Sequence, residues 1–263
     1  MLPRRNFSDM TESEVRNASP AHWIAVLPLG ATEQHGPHLP LETDSIIAEA
    51  VIRRTIRFLP ESLPVTFLPV EPVGYSPEHS DFPGSETLAF DEAVNRWVGI
   101  GQKLKSLGIA KFVMLNAHGG NSPLTTIVAT ELRVRYGMLA VATSWTRFGV
   151  PDGIIGAQER SIDIHGGLLE TSIMLAVAPD KVSMDKASNF SSAQTGFTKD
   201  YKYLRAYGPH SFGWKMQDLN PLGVCGNASA ATAETGELLL EHAARGFAEL
   251  LADTHRHPGF ERG

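Results

Sequence analysis

The sequence predicts an α/β fold, a single domain with a mainly parallel β-sheet sandwiched between helices. Three observations carry this. Short apolar runs without polar alternation, such as Trp23–Leu29 and Phe112–Leu115, read as strands buried on both faces, as in parallel sheets. Stretches with apolar residues at helical spacing follow those runs, which implies βαβ units with helices on both faces. Residues able to carry chemistry sit just after the strands, where open α/β sheets form their sites.

Taken in order, Trp23–Leu29 is the first strand, and Asp44–Leu59 a helix through Ala48, Val51, Ile52, Ile56 and Leu59. Pro64–Val70 is a second strand, weakened by an internal proline. A Pro- and Gly-punctuated loop runs from Glu71 to about Glu86, and a helix over Leu88–Leu107 closes at Gly108 in the C′ position. Phe112–Leu115 is the next strand, followed by a helix to about Tyr136 and a strand over Met138–Thr143. Gly167–Ala178 is a helix stopped by Pro179. Ser183–Val224 lacks periodicity and reads as loops and short strands, and a last amphipathic helix covers Ala231–Ala252.

The chain of 263 residues carries a net charge of −6 with Lys and Arg scattered, which argues against a nucleic-acid partner. No apolar stretch reaches membrane-spanning length. Met1-Leu2-Pro3-Arg4-Arg5 is followed by no apolar segment, so a secretory signal is not expected. The single cysteine, Cys225, cannot form an internal disulfide, and the expected location is the cytoplasm.

Three constellations carry chemistry. In Gly30–Asp44 lie Glu33, His35, His38, Glu42 and Asp44; Glu33 and His35, two apart, project to one side of an extended segment and suit one metal centre. Asp44 is either a ligand or a helix cap. Asn116-Ala117-His118-Gly119-Gly120-Asn121 places an imidazole at a strand tip and a helix N-terminus behind two glycines, an arrangement that suits an oxyanion. The esterase reading of His-Gly-Gly needs a Gly-x-Ser-x-Gly elbow, which is absent. In Asp163–Ser172, His165 precedes two glycines with its ring expected to swing freely. Glu170 opens an apolar helix with no Lys or Arg nearby in sequence. Carboxylates with imidazoles and no thiolate favour zinc, manganese or iron(II). Trp145, Arg147, Phe148, Tyr207, His210, Phe212 and Trp214 lie in irregular segments, either as pocket walls or as ordinary packing and surface residues.

These segments, with Tyr75–Ser85 and Gly223–Gly236, resemble the creatininase (creatinine amidohydrolase) family over roughly residues 20 to 250. The resemblance implies a creatininase-like fold, two divalent metal ions per chain, a small-molecule amide substrate and a homo-oligomer, often a hexamer. It implies Glu33 and His118 as ligands of one metal, His35 of the other, and Asp44 as the bridging carboxylate. His165 would be the acid/base, and Glu170 a further catalytic group completing the second metal. Gly119, Gly120, Asn121, His79, Trp145 and Arg147 are the candidate substrate-binding residues. Creatinine-specific members carry glutamate where this chain has Gly120, so a different small amide (a lactam, cyclic amide or formamide) is expected. The competing readings are a metal-dependent lyase or isomerase using the same residues, and a non-catalytic metal- or ligand-binding module.

Overall fold

The computed structural model describes residues 2, 4–18 and 20–260. Met1 and Pro3, on which the N-terminal reading partly rests, lie outside them, as do residues 261–263. In chain order the elements are α1 (Glu12–Asn17), β1 (Ile24–Leu29), α2 (Thr43–Ile56), β2 (Val65–Phe67), α3 (Phe90–Ser106), β3 (Lys111–Asn116), α4 (Ser122–Tyr136) and β4 (Leu139–Ser144). There follow α5 (Ala157–Ile162), α6 (Leu168–Val177), β5 (Asn189–Phe190), α7 (Gln194–Asp200), α8 (Met216–Leu219), β6 (Gly226–Asn227) and α9 (Ala233–Arg256).

Four strands form one wholly parallel sheet in the order β2-β1-β3-β4. Side chains alternate through the sheet: Ile24, Val26, Val113 and Leu115 enter the layer with α2, α6 and α9, while Ala25, Leu27, Phe112 and Met114 enter the layer with α3 and α4. Both faces are covered, which is why the strands lack polar alternation. β2 is shorter than the sequence suggests because prolines flank it; its outer edge is covered by Asn6, and the Phe67 N–H donates to Arg5 O. Pro28 is tolerated inside central β1 because the regular pairing with β2 ends at Val26–Phe67 and resumes only at Glu71, whose N–H donates to Pro28 O, so the missing N–H falls in the gap.

Helix ends follow their local chemistry. Gly108 closes α3 with φ +94°, and the Thr232 hydroxyl accepts the Thr235 N–H to start α9. α6 and α9 approach closely because Gly236 lacks a side chain; a Cβ there would lie 1.9 Å from Ser172 O. Residues 183–224 hold two short helices, α7 and α8, that the missing periodicity did not reveal, besides β5. The connections at the carboxyl edge of the sheet, after β1 and β3, carry the conspicuous polar residues. No helix among the described residues is long and apolar enough to cross a membrane.

Candidate metal centre

Residues far apart in sequence converge at that edge. The loop after β1 supplies Glu33 and His35, the first turn of α2 supplies Asp44, and the turn after β3 supplies His118. The 77–79 turn supplies His79, and the entry to α6 supplies His165 and Glu170. Glu33, His35, Asp44, His79, His118 and His165 are all buried, and Glu170 is nearly so.

Asp44 does not cap α2: its Oδ1 lies 3.3 Å from His35 Nε2 and its Oδ2 lies 3.3 Å from His118 Nδ1, so one carboxylate faces two imidazoles. Glu33 Oε1 lies 3.0 Å from His118 Nδ1, and Glu170 Oε2 lies 3.8 Å from His35 Nε2 while accepting the Gly166 N–H at 2.7 Å. The outer nitrogens are spent on carbonyls, which leaves the inner ones to hold either a proton or a cation. His35 Nδ1–H donates to Glu33 O at 3.0 Å, and His118 Nε2–H donates to Tyr75 O at 3.0 Å. A neutral imidazole with its hydrogen spent on a carbonyl presents a lone pair on the other side. Here those lone pairs face carboxylate oxygens.

Glu33 Oε1 and Oε2, His35 Nε2 and Asp44 Oδ2 are buried without a hydrogen-bond partner, although their neighbours lie within 4 Å. Such orphaned acceptors cost about 1–3 kcal/mol each or more when charged. Acceptors aimed at common points fit cations, and histidines oriented through backbone carbonyls are the usual support of metal ligands. Subsets of the cluster, including Glu33 with His35 and Asp44, have ligand atoms within 4.8 Å of one another.

Without a cation, protons take up the balance. Burial works to lower His35, but Asp44 and Glu170 overcome it and raise it to about 9; His118 is likewise carried well above its ordinary value by Glu33 and Asp44 against burial. Burial pushes Glu170 up to about 7, against the opposing pull of His35. Burial would raise Glu33, yet the His118 imidazole holds it well below the usual range. His165 is lowered well below its ordinary value by burial and by His35.

His165 does not swing. Its ring lies between those of His35 and His79 at centroid distances of 4.2 and 4.3 Å, and Nε2–H donates to Gln34 O at 2.7 Å, so packing overrides the freedom expected from its glycine neighbours. Nδ1 is left facing Glu33 Oε1 at 3.6 Å. His79 Nε2 lies 3.5 Å from the same oxygen. Asn121 is a brace rather than a free contact. Its Oδ1 accepts the Tyr75 N–H at 2.8 Å and its Nδ2 donates to Gly30 O and Asn116 Oδ1. Gly119 is exposed, whereas a Cβ on Gly120 would lie 2.4 Å from Tyr75 O and 2.6 Å from Glu78 Oε1. Trp145 is packed in the apolar layer with α6 and α9, and exposed Arg147 donates to Ala142 O; no hydrogen bond or ion pair among the described residues ties either to the cluster.

Sequence reasoning missed Gln34, Ser76 and Glu78. Ser76 Oγ lies 3.1 Å and Glu78 Oε1 3.5 Å from His118 Nε2, on the side away from Glu33; burial pushes the Glu78 carboxyl up. The Glu78-His79 pair inside a Pro-rich loop was the available signal.

The family model described as creatinine amidohydrolase matches residues 8–251. A mycofactocin precursor peptide peptidase from Mycobacterium ulcerans is 30% identical over 89% of this chain and 84% of its own length. A creatinine amidohydrolase from Pseudomonas putida is 26% identical over 88% and 89%. Among solved structures, a putative creatinine amidohydrolase from Bacteroides fragilis gives a TM-score of 0.79 at 23% identity, covering 99% of this chain and 100% of that one. A creatininase variant described as Zn-Zn type gives 0.75 at 24%, covering 95% and 98%. The chain belongs to the creatininase family, whose members are hydrolases acting on C–N bonds.

Proposed function

We propose that this enzyme hydrolyses the C–N bond of a small amide (a lactam, cyclic amide or formamide) with two divalent cations held by Glu33, His35, Asp44, His118 and Glu170. The observation that carries the reading is the set of buried lone pairs facing one another around Asp44. Zinc, manganese or iron suits this oxygen and nitrogen donor set, and the solved creatininase described as Zn-Zn type supports a pair. Two such cations would supply Lewis acidity, bringing a water's pKa toward neutrality and polarising a carbonyl. His165 does the proton work: with Nε2–H committed to Gln34 O, its bare Nδ1 takes a proton from the attacking water and passes it to the departing nitrogen. The exposed backbone at Gly119 leaves room for the substrate's approach. Hydrolysis is preferred over a lyase, an isomerase or a binding module because the matching family model and the relatives are named as an amidohydrolase and a peptidase.

Gly120 bears on substrate choice. Nothing larger fits there without moving Tyr75, so the glutamate of creatinine-specific members has no place in this loop conformation. Creatinine is therefore expected to be a poor substrate. A second reading, cleavage of a peptide, draws on the 30%-identical relative named as a precursor peptide peptidase. The buried thiol fits a cytoplasmic setting, and a homo-oligomer, a hexamer by family resemblance, is expected in solution.

The test is kcat/KM for creatinine beside lactams, formamides, cyclic amides and short peptides, with and without zinc or manganese. Metal-dependent turnover of one of these, with creatinine well below ~10⁴ M⁻¹s⁻¹, is expected. Creatinine at or above that value would overturn the inference from Gly120, and no metal-dependent turnover of any amide would overturn the hydrolase assignment.

A further inference from the structure

Gln34 lies between two of the candidate ligands and holds two histidines at once. Its side-chain orientation is fixed by two backbone groups: Oε1 accepts the Gly36 N–H at 2.9 Å, and Nε2 donates to Gly223 O at 2.7 Å. Reversing the amide would set donor against donor and acceptor against acceptor. The slot is close-fitting, since a Cβ on Gly223 would lie 2.2 Å from Gln34 Oε1. The second hydrogen of the amide points at His79 Nδ1, 2.9 Å away. A donor in that position excludes a hydrogen on His79 Nδ1, so His79 is neither an imidazolium nor the Nδ1–H tautomer. Its hydrogen is on Nε2.

Meanwhile the Gln34 backbone carbonyl takes the His165 Nε2–H at 2.7 Å, which leaves His165 Nδ1 bare. One residue thus sets two adjacent, tilted rings in opposite senses, with centroids 4.3 Å apart. The inward nitrogen of His165 accepts, and the inward nitrogen of His79 donates. Both lie about as far from Glu33 Oε1, at 3.6 and 3.5 Å.

We propose that His79 is a neutral hydrogen-bond donor to the substrate's oxyanion, held in that tautomer by Gln34 acting as a positioning residue, and is not a metal ligand. This rests on the hydrolase reading above. The bookkeeping is simple. When the C–O bond forms, the water's proton goes to His165 Nδ1 and the carbonyl electron pair to the oxygen, which receives the His79 N–H as a hydrogen bond. When the C–N bond breaks, the nitrogen takes its proton from His165. His79 keeps its own proton throughout, since losing it would leave an imidazolate.

The experiment pairs spectroscopy with a substitution series on zinc-loaded protein. Long-range ¹H–¹⁵N correlation should show His79 as the Nε2–H tautomer, and Gln34→Glu, which replaces the donor by an acceptor, should move the hydrogen to Nδ1. His79→Gln keeps an amide N–H near the Nε2 position, whereas His79→Asn does not reach it. His79→Asn and Gln34→Glu should each lose roughly 10²–10³ in kcat with KM little changed, the scale for one oxyanion donor. His79→Gln should recover to within about tenfold of wild type, with zinc content unchanged throughout. An Nδ1–H tautomer in the wild type, zinc loss in His79→Asn, or equal impairment of Gln and Asn would overturn the proposal. If no amide turns over, the hydrolase reading falls while the tautomer result still decides the role of Gln34.

Discussion

The sheet and its carboxyl edge bury their residues to the same degree and by opposite means. Ile24, Val26, Val113 and Leu115, inside β1 and β3, are fully enclosed by the apolar layer with α2, α6 and α9. Removing each from water contributes about 1.5–3 kcal/mol. A few residues further along the same two strands' exits, Glu33, His35 and His118 are as deeply enclosed, yet their inward atoms are polar and several have no hydrogen-bond partner. One region stabilises the fold. The other is held in place by it, and its unfavourable burial is what a bound cation would offset.

The contrast yields separable outcomes. The largest effect belongs to Asp44→Asn, which removes the carboxylate shared by His35 and His118. Turnover should fall by roughly 10⁴-fold or more, the scale for losing a central catalytic group, and metal should drop to one ion or fewer, while the metal-free protein still unfolds cooperatively. Elemental analysis, kinetics and melting curves check this together; full metal content would dissolve the distinction between the regions. Ile24→Ala, at the far end of β1, should do the reverse. A loss of about 2–5 kcal/mol in urea unfolding is expected, with metal content and kcat of the folded fraction unchanged.

His165→Ala should keep both metals and lower kcat by roughly 10²-fold, as removal of a general acid–base group does. Loss of metal on that substitution would make His165 a ligand instead. A subtler separation comes from pH in the metal-free protein. His35, raised from 6.5 to about 9, and His118, also raised well above its ordinary value, contribute stability that is fully present below about pH 6.5. That contribution is lost as pH rises through the folded-state values. Urea midpoints should therefore fall between pH 6.5 and 9, and Asp44→Asn should flatten the slope. Midpoints that rise with pH over this range would contradict the electrostatic account of the cluster.

The sheet was legible because both its faces are buried: uninterrupted apolar runs such as Phe112–Leu115 leave few other readings. Strand-exit placement likewise made Glu33, His35 and His118 visible as candidates, and Glu170 stood out as a carboxylate in an apolar helix with no basic neighbour in sequence. What escaped depends on contacts between distant segments. Gly166 and Gly167 suggested a mobile His165, but its ring is fixed by Gln34, 131 residues away, and by its neighbours' rings. Asn121 read as a substrate contact at a helix start, yet its amide is spent on Tyr75, Gly30 and Asn116. Short α7 and α8 have too few turns to show a period.

The central claim is that the carboxylate–imidazole cluster exchanges its protons for two cations. Titration of the metal-stripped protein with zinc, by calorimetry near pH 7.5 in buffers of different ionisation enthalpy, tests it directly. Because His35 and His118 are held protonated by Asp44, Glu170 and Glu33, the account predicts about two zinc ions bound per chain, with release of about two protons. Binding of no zinc, or of zinc without proton release, would contradict it.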